Sequence, residues 1–279
     1  MCAVKALFGL TAALSMLQSV HAVDQRIVIA GDSTASWYPP ERAPQAGWGQ
    51  ALPYFLGDGV RLDNRAVSGR STKSYIDEGR WAALLDALQP DDIVLISFGH
   101  NDSRDDDPKR FAAPAGAYRQ NLTAFIADVR AAGARPVIVS SVARRLWEGP
   151  AMVETHGLYR ENARLAAREM GADYIDLAQL SINYFEAIGR EETKTDYLWL
   201  TRETANARFP EGVEDNTHFS ELGACGVARI VASEIHALGI DIKRKDASPG
   251  SGANASPRPA AVRACAAWLQ AERRGSGTE

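Results

Sequence analysis

The chain has 279 residues with a sequence pI near 5.8, of which 46% are hydrophobic, 24% charged and 8% aromatic. That apolar fraction excludes a disordered polypeptide, and the length admits one large domain or two small ones. The net charge of −4 is uneven: residues 1–22 carry +1 and residues 243–279 carry +4, leaving −9 on 23–242 and excluding nucleic-acid binding through the overall field.

The first 22 residues have the form of a secretory signal. Lys5 supplies the positive start, 6–20 is an uncharged and mostly apolar run, and Val20-His21-Ala22 puts small or branched residues at the cleavage positions. A membrane anchor needs about 20 apolar residues, more than this run supplies, and no second run approaches that length. The expectation is an exported protein, periplasmic or secreted, that starts at Val23 and leaves the membrane once the signal is cleaved. Export removes Cys2 and leaves Cys225 and Cys265. In an oxidising compartment two such thiols form a disulfide more readily than a metal site; two unpaired thiols are the alternative.

Beyond the signal, the runs 26–30, 60–67, 92–98, 136–142 and 173–177 read as strands. Between and after them, 47–56, 76–88, 115–132, 152–170 and 220–238 show apolar residues at helical spacing. Gly133 and Gly171 stand just past two of these helices, where a left-handed cap is commonly needed. The alternation predicts an α/β fold, a three-layer α/β/α sandwich around a five-stranded parallel sheet of the flavodoxin-like kind. Its site is expected beyond the carboxyl ends of the strands. The Ser-, Pro-, Gly- and Ala-rich stretch 247–260 reads as a flexible connector, followed by a short helix over 262–273 that carries Cys265 and Trp268. The organisation is thus a signal (1–22), a main domain (23–242) and a flexible linker with a short tail (243–279).

Three segments follow predicted strands and offer groups suited to acyl transfer. In Gly31-Asp32-Ser33-Thr34 the serine sits at a strand-to-helix turn, where outward backbone N–H groups favour developing negative charge. Gly69, in Ser68-Gly69-Arg70-Ser71, lets the backbone approach a ligand and offer its N–H to an oxyanion. Asn101, in Gly99-His100-Asn101-Asp102, can donate its side-chain amide N–H to the same charge. Near the end comes Asp215-Asn216-Thr217-His218-Phe219-Ser220, where a turn brings Asp215 to one ring nitrogen of His218 and leaves the other free as a base. Ser220 suits the N-cap of the next helix. Taken singly, each segment is also ordinary turn material. Their conjunction at the ends of converging elements is what gives them weight.

In order and spacing the four segments resemble the four blocks of the SGNH hydrolases, also called the GDSL esterases. The likeness narrows further. Gly31-Asp32-Ser33-Thr34 with Gly47-Trp48-Gly49, and Ala66-Val67-Ser68-Gly69-Arg70-Ser71 with Ser74-Tyr75 and Glu78-Gly79-Arg80-Trp81, are similar to the rhamnogalacturonan acetylesterases of carbohydrate esterase family 12. His100-Asn101-Asp102 and Asp215-x-x-His218-x-Ser220-x-x-Gly223-Ala224 complete it over about residues 25–240. Arg144-Arg145-Leu146-Trp147, the insert 194–212 and the tail depart from the pattern.

The resemblance implies a catalytic domain over 23–242 that works as a serine esterase on an acetylated plant polysaccharide, pectic rhamnogalacturonan foremost. Ser33 is the implied nucleophile, His218 the base and Asp215 its orienting carboxylate. Ser33, Gly69 and Asn101 form the implied oxyanion hole, and no metal or cofactor is called for. Trp48, Trp81 and Trp147 are candidate sugar platforms, with a core role as the alternative. Arg70, Arg144 and Arg145 are candidate contacts for uronate carboxylates, with solvated surface positions as the alternative. The expected partner is an acetylated poly- or oligosaccharide, not nucleic acid or membrane, and the expected state is a monomer. A lysophospholipase or thioesterase of the same superfamily is the second reading, weakened by charged and aromatic loops at 99–110, 143–150 and 194–216. A carbohydrate-binding protein without catalysis is the third.

Overall fold

A computed structural model describes residues 25–242 and 258–275. The expected signal and most of the expected connector lie outside the described residues. In chain order the strands and helices are β1 (Gln25–Gly31), β2 (Gln45–Ala46), α1 (Trp48–Ala51), β3 (Val60–Asn64), α2 (Thr72–Asp77), α3 (Arg80–Leu85), β4 (Ile93–Ser97), α4 (Arg119–Ala131) and β5 (Arg135–Val139). There follow β6 (Trp147–Glu148), β7 (Ala151–Met152), α5 (Leu158–Met170), β8 (Asp173–Ile175), α6 (Leu177–Ile188), β9 (Tyr197–Leu200), β10 (Val213–Ser220), α7 (Glu221–Ala237) and α8 (Ala260–Gly275).

The five-stranded sheet has the order β3-β1-β4-β5-β8 and is parallel throughout. Renumbered within the sheet this is 2-1-3-4-5, the flavodoxin-like winding, whose switch point lies between β1 and β4. Alternating side chains send each strand's apolar residues to both faces. Ile27, Ile29, Leu95 and Val137 pack with α1, α6, α7 and α8, while Val28, Val94, Ile96 and Ile138 pack with α3, α4 and α5. Both faces are buried, which is why these runs are almost continuously apolar.

Several elements depart from the sequence reading, each for a local reason. The helix expected over 76–88 is two helices, split at Gly79, whose φ of +70° ends α2 in the left-handed region. The helix expected over 152–170 begins only at Leu158, because 147–152 closes the β6–β7 hairpin. The strand expected to reach Leu177 stops at Ile175. Asp176 then caps α6, a helix that the sequence reading did not foresee. Also unforeseen is a second sheet, β2-β10-β9, antiparallel and laid beside the carboxyl ends of the main one.

Candidate active site

Ser33 follows β1 directly, in a turn closed by the Ala35 N–H donating to the Asp32 carbonyl. The turn is held from several sides. The Asp32 carboxylate accepts the N–H and hydroxyl of Thr34, and the Tyr38 hydroxyl donates to the Ser33 carbonyl at 2.8 Å. Gly47 lies so close beneath that a Cβ there would fall 2.2 Å from the Ser36 carbonyl oxygen, so only glycine lets α1 dock under the turn. Burial pushes the Asp32 carboxyl up to about 6, against the Thr34 bonds that oppose it.

His218 reaches Ser33 from β10, across 185 residues of sequence. Its Nε2 lies 2.9 Å from Ser33 Oγ, and its Nδ1 lies 2.7 Å from Asp215 Oδ2. In a regular strand, side chains three apart face opposite sides. Here the pairing of β10 with β9 shifts register between Asp215 and Phe219, and that irregularity puts both side chains on one side. The other Asp215 oxygen accepts the N–H groups of Thr217 and His218, which fixes the bend. Burial opposes the Asp215 charge, but the His218 ring and these N–H groups outweigh it and hold the carboxyl below its ordinary value.

Facing this pair are three donors. The backbone N–H groups of Ser33 and Gly69 meet no protein acceptor among the described residues. Gly69 takes φ of +80°, with open space where a Cβ would stand. Asn101 gives one amide hydrogen to the Arg70 carbonyl at 3.1 Å, which leaves the other free. Its oxygen accepts from Arg110 at 3.3 Å, so the amide cannot flip without losing both bonds.

Ser33, Gly69, Asn101, Asp215 and His218 line one cleft of about 400 Å³, together with Ser68, His100, Thr217 and three arginines. Arg104 pairs with Asp106 and Arg110 with Asp107. Arg144 has no carboxylate partner among the described residues. Its Nε instead points at His100 Nδ1, 3.4 Å away. An arginine can only donate, so this contact puts the His100 proton on Nε2. His156 Nε2 then supplies a second donor to the same Nδ1, at 3.0 Å. Burial, followed by the neighbouring His156 and Arg144, pulls the His100 pKa well below its ordinary value, so the ring stays neutral beside the arginine.

Of the six candidate substrate contacts, only Arg144 lines this cleft. Trp48 is 0% and Trp147 8% exposed, both within the core on the α7 side of the sheet. Trp81 is 6% exposed on the other side, stacked on Phe125 at 3.8 Å with its Nε1 donating to Asp128. None of the three presents a ring face to a sugar, which corrects the platform expectation. Arg145 is buried, bonded to the Arg190 carbonyl and Thr193 and lying over Trp199. Arg70 closes an ion pair with Glu78 outside the cleft. Sequence reasoning missed His156, Arg104 and Arg110. The two arginines belong to the charged 99–110 loop, which was the available signal.

Residues 29–224 match the model of the GDSL-like lipase/acylhydrolase family. Among curated proteins, rhamnogalacturonan acetylesterase RhgT of Bacillus subtilis is 40% identical over 219 residues, covering 78% of this chain and 92% of that one. A rhamnogalacturonan acetylesterase of Emericella nidulans is 32% identical over 234 residues, 77% of this chain and 85% of its own. Among solved structures, protein YxiM of Bacillus subtilis superposes with a TM-score of 0.67 at 27% identity, covering 78% of this chain but only 58% of that one. A variant of the acetyl xylan esterase Axe2 of Geobacillus stearothermophilus gives 0.51 at 18% identity over 76% and 94%, a likeness of fold alone.

Proposed function

Because the chain belongs to the GDSL-like lipase/acylhydrolase family and is a carboxylic ester hydrolase, we propose that it removes O-acetyl groups from a pectin-type polysaccharide or its oligosaccharides, rhamnogalacturonan foremost. The observation that carries the chemistry is the unbroken chain Asp215–His218–Ser33 facing three open N–H donors. As Ser33 Oγ attacks the acetyl carbonyl carbon, His218 Nε2 takes its proton, while Asp215 keeps the other ring proton on Nδ1. The negative oxygen that forms is met by the N–H groups of Ser33 and Gly69 and by the Asn101 amide, each donor worth about 3–4 kcal/mol in one studied protease. The bond to the sugar oxygen breaks, that oxygen takes the proton from His218, and acetyl remains on Ser33. Water gives a proton to His218 and attacks the acetyl carbon; acetate departs and Oγ recovers the proton.

The walls of the cleft favour a short acyl group on a polar, anionic substrate. Arginines line it where a long acyl chain needs an apolar channel, and Arg144 has no carboxylate partner among the described residues. A uronate carboxylate of the substrate supplies that partner. Export belongs to the same reading. It is supported by the Cys225–Cys265 bond, of a type that persists in oxidising compartments, and by the form of residues 1–22. No helix among the described residues is long and apolar enough to cross a membrane.

The test is acetate release from acetylated pectins and xylans, run beside 4-nitrophenyl acetate and a long-chain 4-nitrophenyl ester. The expected order is pectin above xylan, and acetate ester above long-chain ester. Preference for the long chain would overturn the substrate reading. In the same assay Arg144→Ala should lower kcat/KM on pectin more than on neutral xylan, and equal losses would remove the uronate contact.

A further inference from the structure

A second cavity, of about 340 Å³, lies away from Ser33 and His218, between the loop that follows the nucleophile turn and the tail helix α8. Its walls include two indoles, Trp37 from the loop and Trp268 from α8. Trp37 is 59% exposed, although four of the other tryptophans (48, 81, 147 and 199) are buried or half-buried. Leaving so large an apolar ring in water forgoes a sizeable burial gain. Trp268 is held by packing on Tyr54, with ring centroids 5.7 Å apart. Gln50 and Glu272 put polar groups on the same wall. Gln50 is locked in place by bonds in both directions to the Tyr38 backbone, and Glu272 is exposed.

A few apolar ring faces edged by polar groups are what a pyranose asks for, since its C–H face is apolar and its rim carries hydroxyls. The cavity is also near the chemistry. Trp37 follows Ser33 by four residues, so their backbones are no more than about 14 Å apart, a span of a few sugar units. We propose that this cavity is a second carbohydrate subsite, in which Trp37 and Trp268 stack on pyranose rings of the polymer whose acetyl group is presented to Ser33. The inference rests on the polysaccharide reading above. It adds a role for α8: the tail supplies one of the two platforms.

The measured quantity is the ratio of kcat/KM on acetylated rhamnogalacturonan to kcat/KM on 4-nitrophenyl acetate, an ester too small to span both places. Trp37→Ala in the full chain is expected to lower that ratio by about five- to ten-fold through KM, the scale of one aromatic contact. Trp37→Phe, which keeps a stacking face, should recover most of it. An unchanged ratio in Trp37→Ala, or equal losses in the alanine and phenylalanine variants, overturns the subsite. Migration of Ser33→Ala protein through gels containing deacetylated rhamnogalacturonan reads the subsite without turnover. Retardation there that Trp37→Ala abolishes upholds the subsite even if the acetylated polymer proves not to be the substrate. No retardation by this polymer counts against it whatever the enzyme hydrolyses.

Discussion

His218 Nε2 and Ser33 Oγ meet at 2.9 Å, and no other base lies within bonding distance of that hydroxyl among the described residues. Removing either partner should therefore remove nearly all turnover. Ser33→Ala and His218→Ala are each expected to lower kcat/KM on 4-nitrophenyl acetate by about four orders of magnitude or more. Near-normal turnover in a folded variant would take that residue out of its role. Asn101→Ala should lower kcat by about 10²–10³ with KM little changed, because an oxyanion donor acts in the transition state. A change confined to KM would make Asn101 a ground-state contact. Asp102, next along, has a different part. It is fully buried, Oδ1 accepts the N–H and hydroxyl of Thr72, and Oδ2 has no partner among the described residues. Burial first, opposed by the Thr72 bonds and aided by nearby Asp32, pushes its pKa up to about 7. An unfolded aspartate titrates near 3.9, so between about pH 4 and 7 the folded state keeps a proton that the unfolded chain has lost. The stability tied to that proton is whole below pH ~4 and is lost as pH rises through about 7. Asp102→Asn removes the linkage. Its stability in urea should fall less than that of the parent between pH 4.5 and 7.5, by up to about 1.4 kcal/mol per pH unit. Parallel curves would mean that Asp102 is ionised throughout.

β10 and α7 meet at Ser220, and His218 stands two residues before that joint. The Ser220 hydroxyl accepts the Gly223 N–H as the N-cap of α7 and donates to the carbonyl of Thr195 at 2.6 Å, tying the joint to the segment before β9. Ser220→Ala should cost about 1 kcal/mol of stability and lower kcat, because the strand bearing His218 loses an anchor. Urea midpoints and kcat read the two effects separately, and an unchanged midpoint would show that the cap is dispensable. What the sequence disclosed follows from the range of the forces involved. The inner parallel strands β1, β4 and β5 were legible because burial on both faces makes them apolar runs, and Ser220 was legible as a cap because capping is local. β10 was not, since its polar residues become a strand only by pairing with β2, far off in the chain, and with β9, across the intervening loop 201–212. α6 escaped because its apolar start runs on from β8, although Asp176 was a cap signal available to be read. The tryptophans were misread for the same reason of range. The partners that bury Trp81, Phe125 and Asp128, are more than 40 residues away, and composition does not tell a core face from a cleft wall. The absence of a counter-ion at Arg144 among the described residues is likewise a tertiary fact.

Across the whole molecule the charge imbalance between tail and core is realised as buried contacts. Arg258 pairs with the fully buried Asp196, and Arg273 pairs with Glu221 at 2.8 Å while donating to the Gln45 carbonyl. Between them Val262, Cys265 and Leu269 of α8 enter the same core cluster as α7, and Cys265 is bonded to Cys225 there. Removing one partner from a buried pair leaves a charge without compensation, so these contacts bind the tail to one position. The disulfide acts on the other side of the equilibrium. It closes a loop across a sequence separation of 40, which in the loop-entropy model stabilises the fold by about 4 kcal/mol through restriction of the unfolded chain. Intact mass of the unreduced protein should be 2 Da below that of the fully reduced chain, each thiol losing one hydrogen. Reduction, or Cys225→Ala with Cys265→Ala, should lower urea stability by about the loop-closure amount. Ser33, His218 and Asp215 all stand outside α8, so the reduced protein should keep its turnover of 4-nitrophenyl acetate wherever it remains folded. Trp268 stands on α8, so turnover of the polymer should fall in the same sample. Two alkylatable thiols in the unreduced protein would remove the disulfide from this account. Equal loss on both substrates would mean instead that the tail supports the catalytic cleft itself.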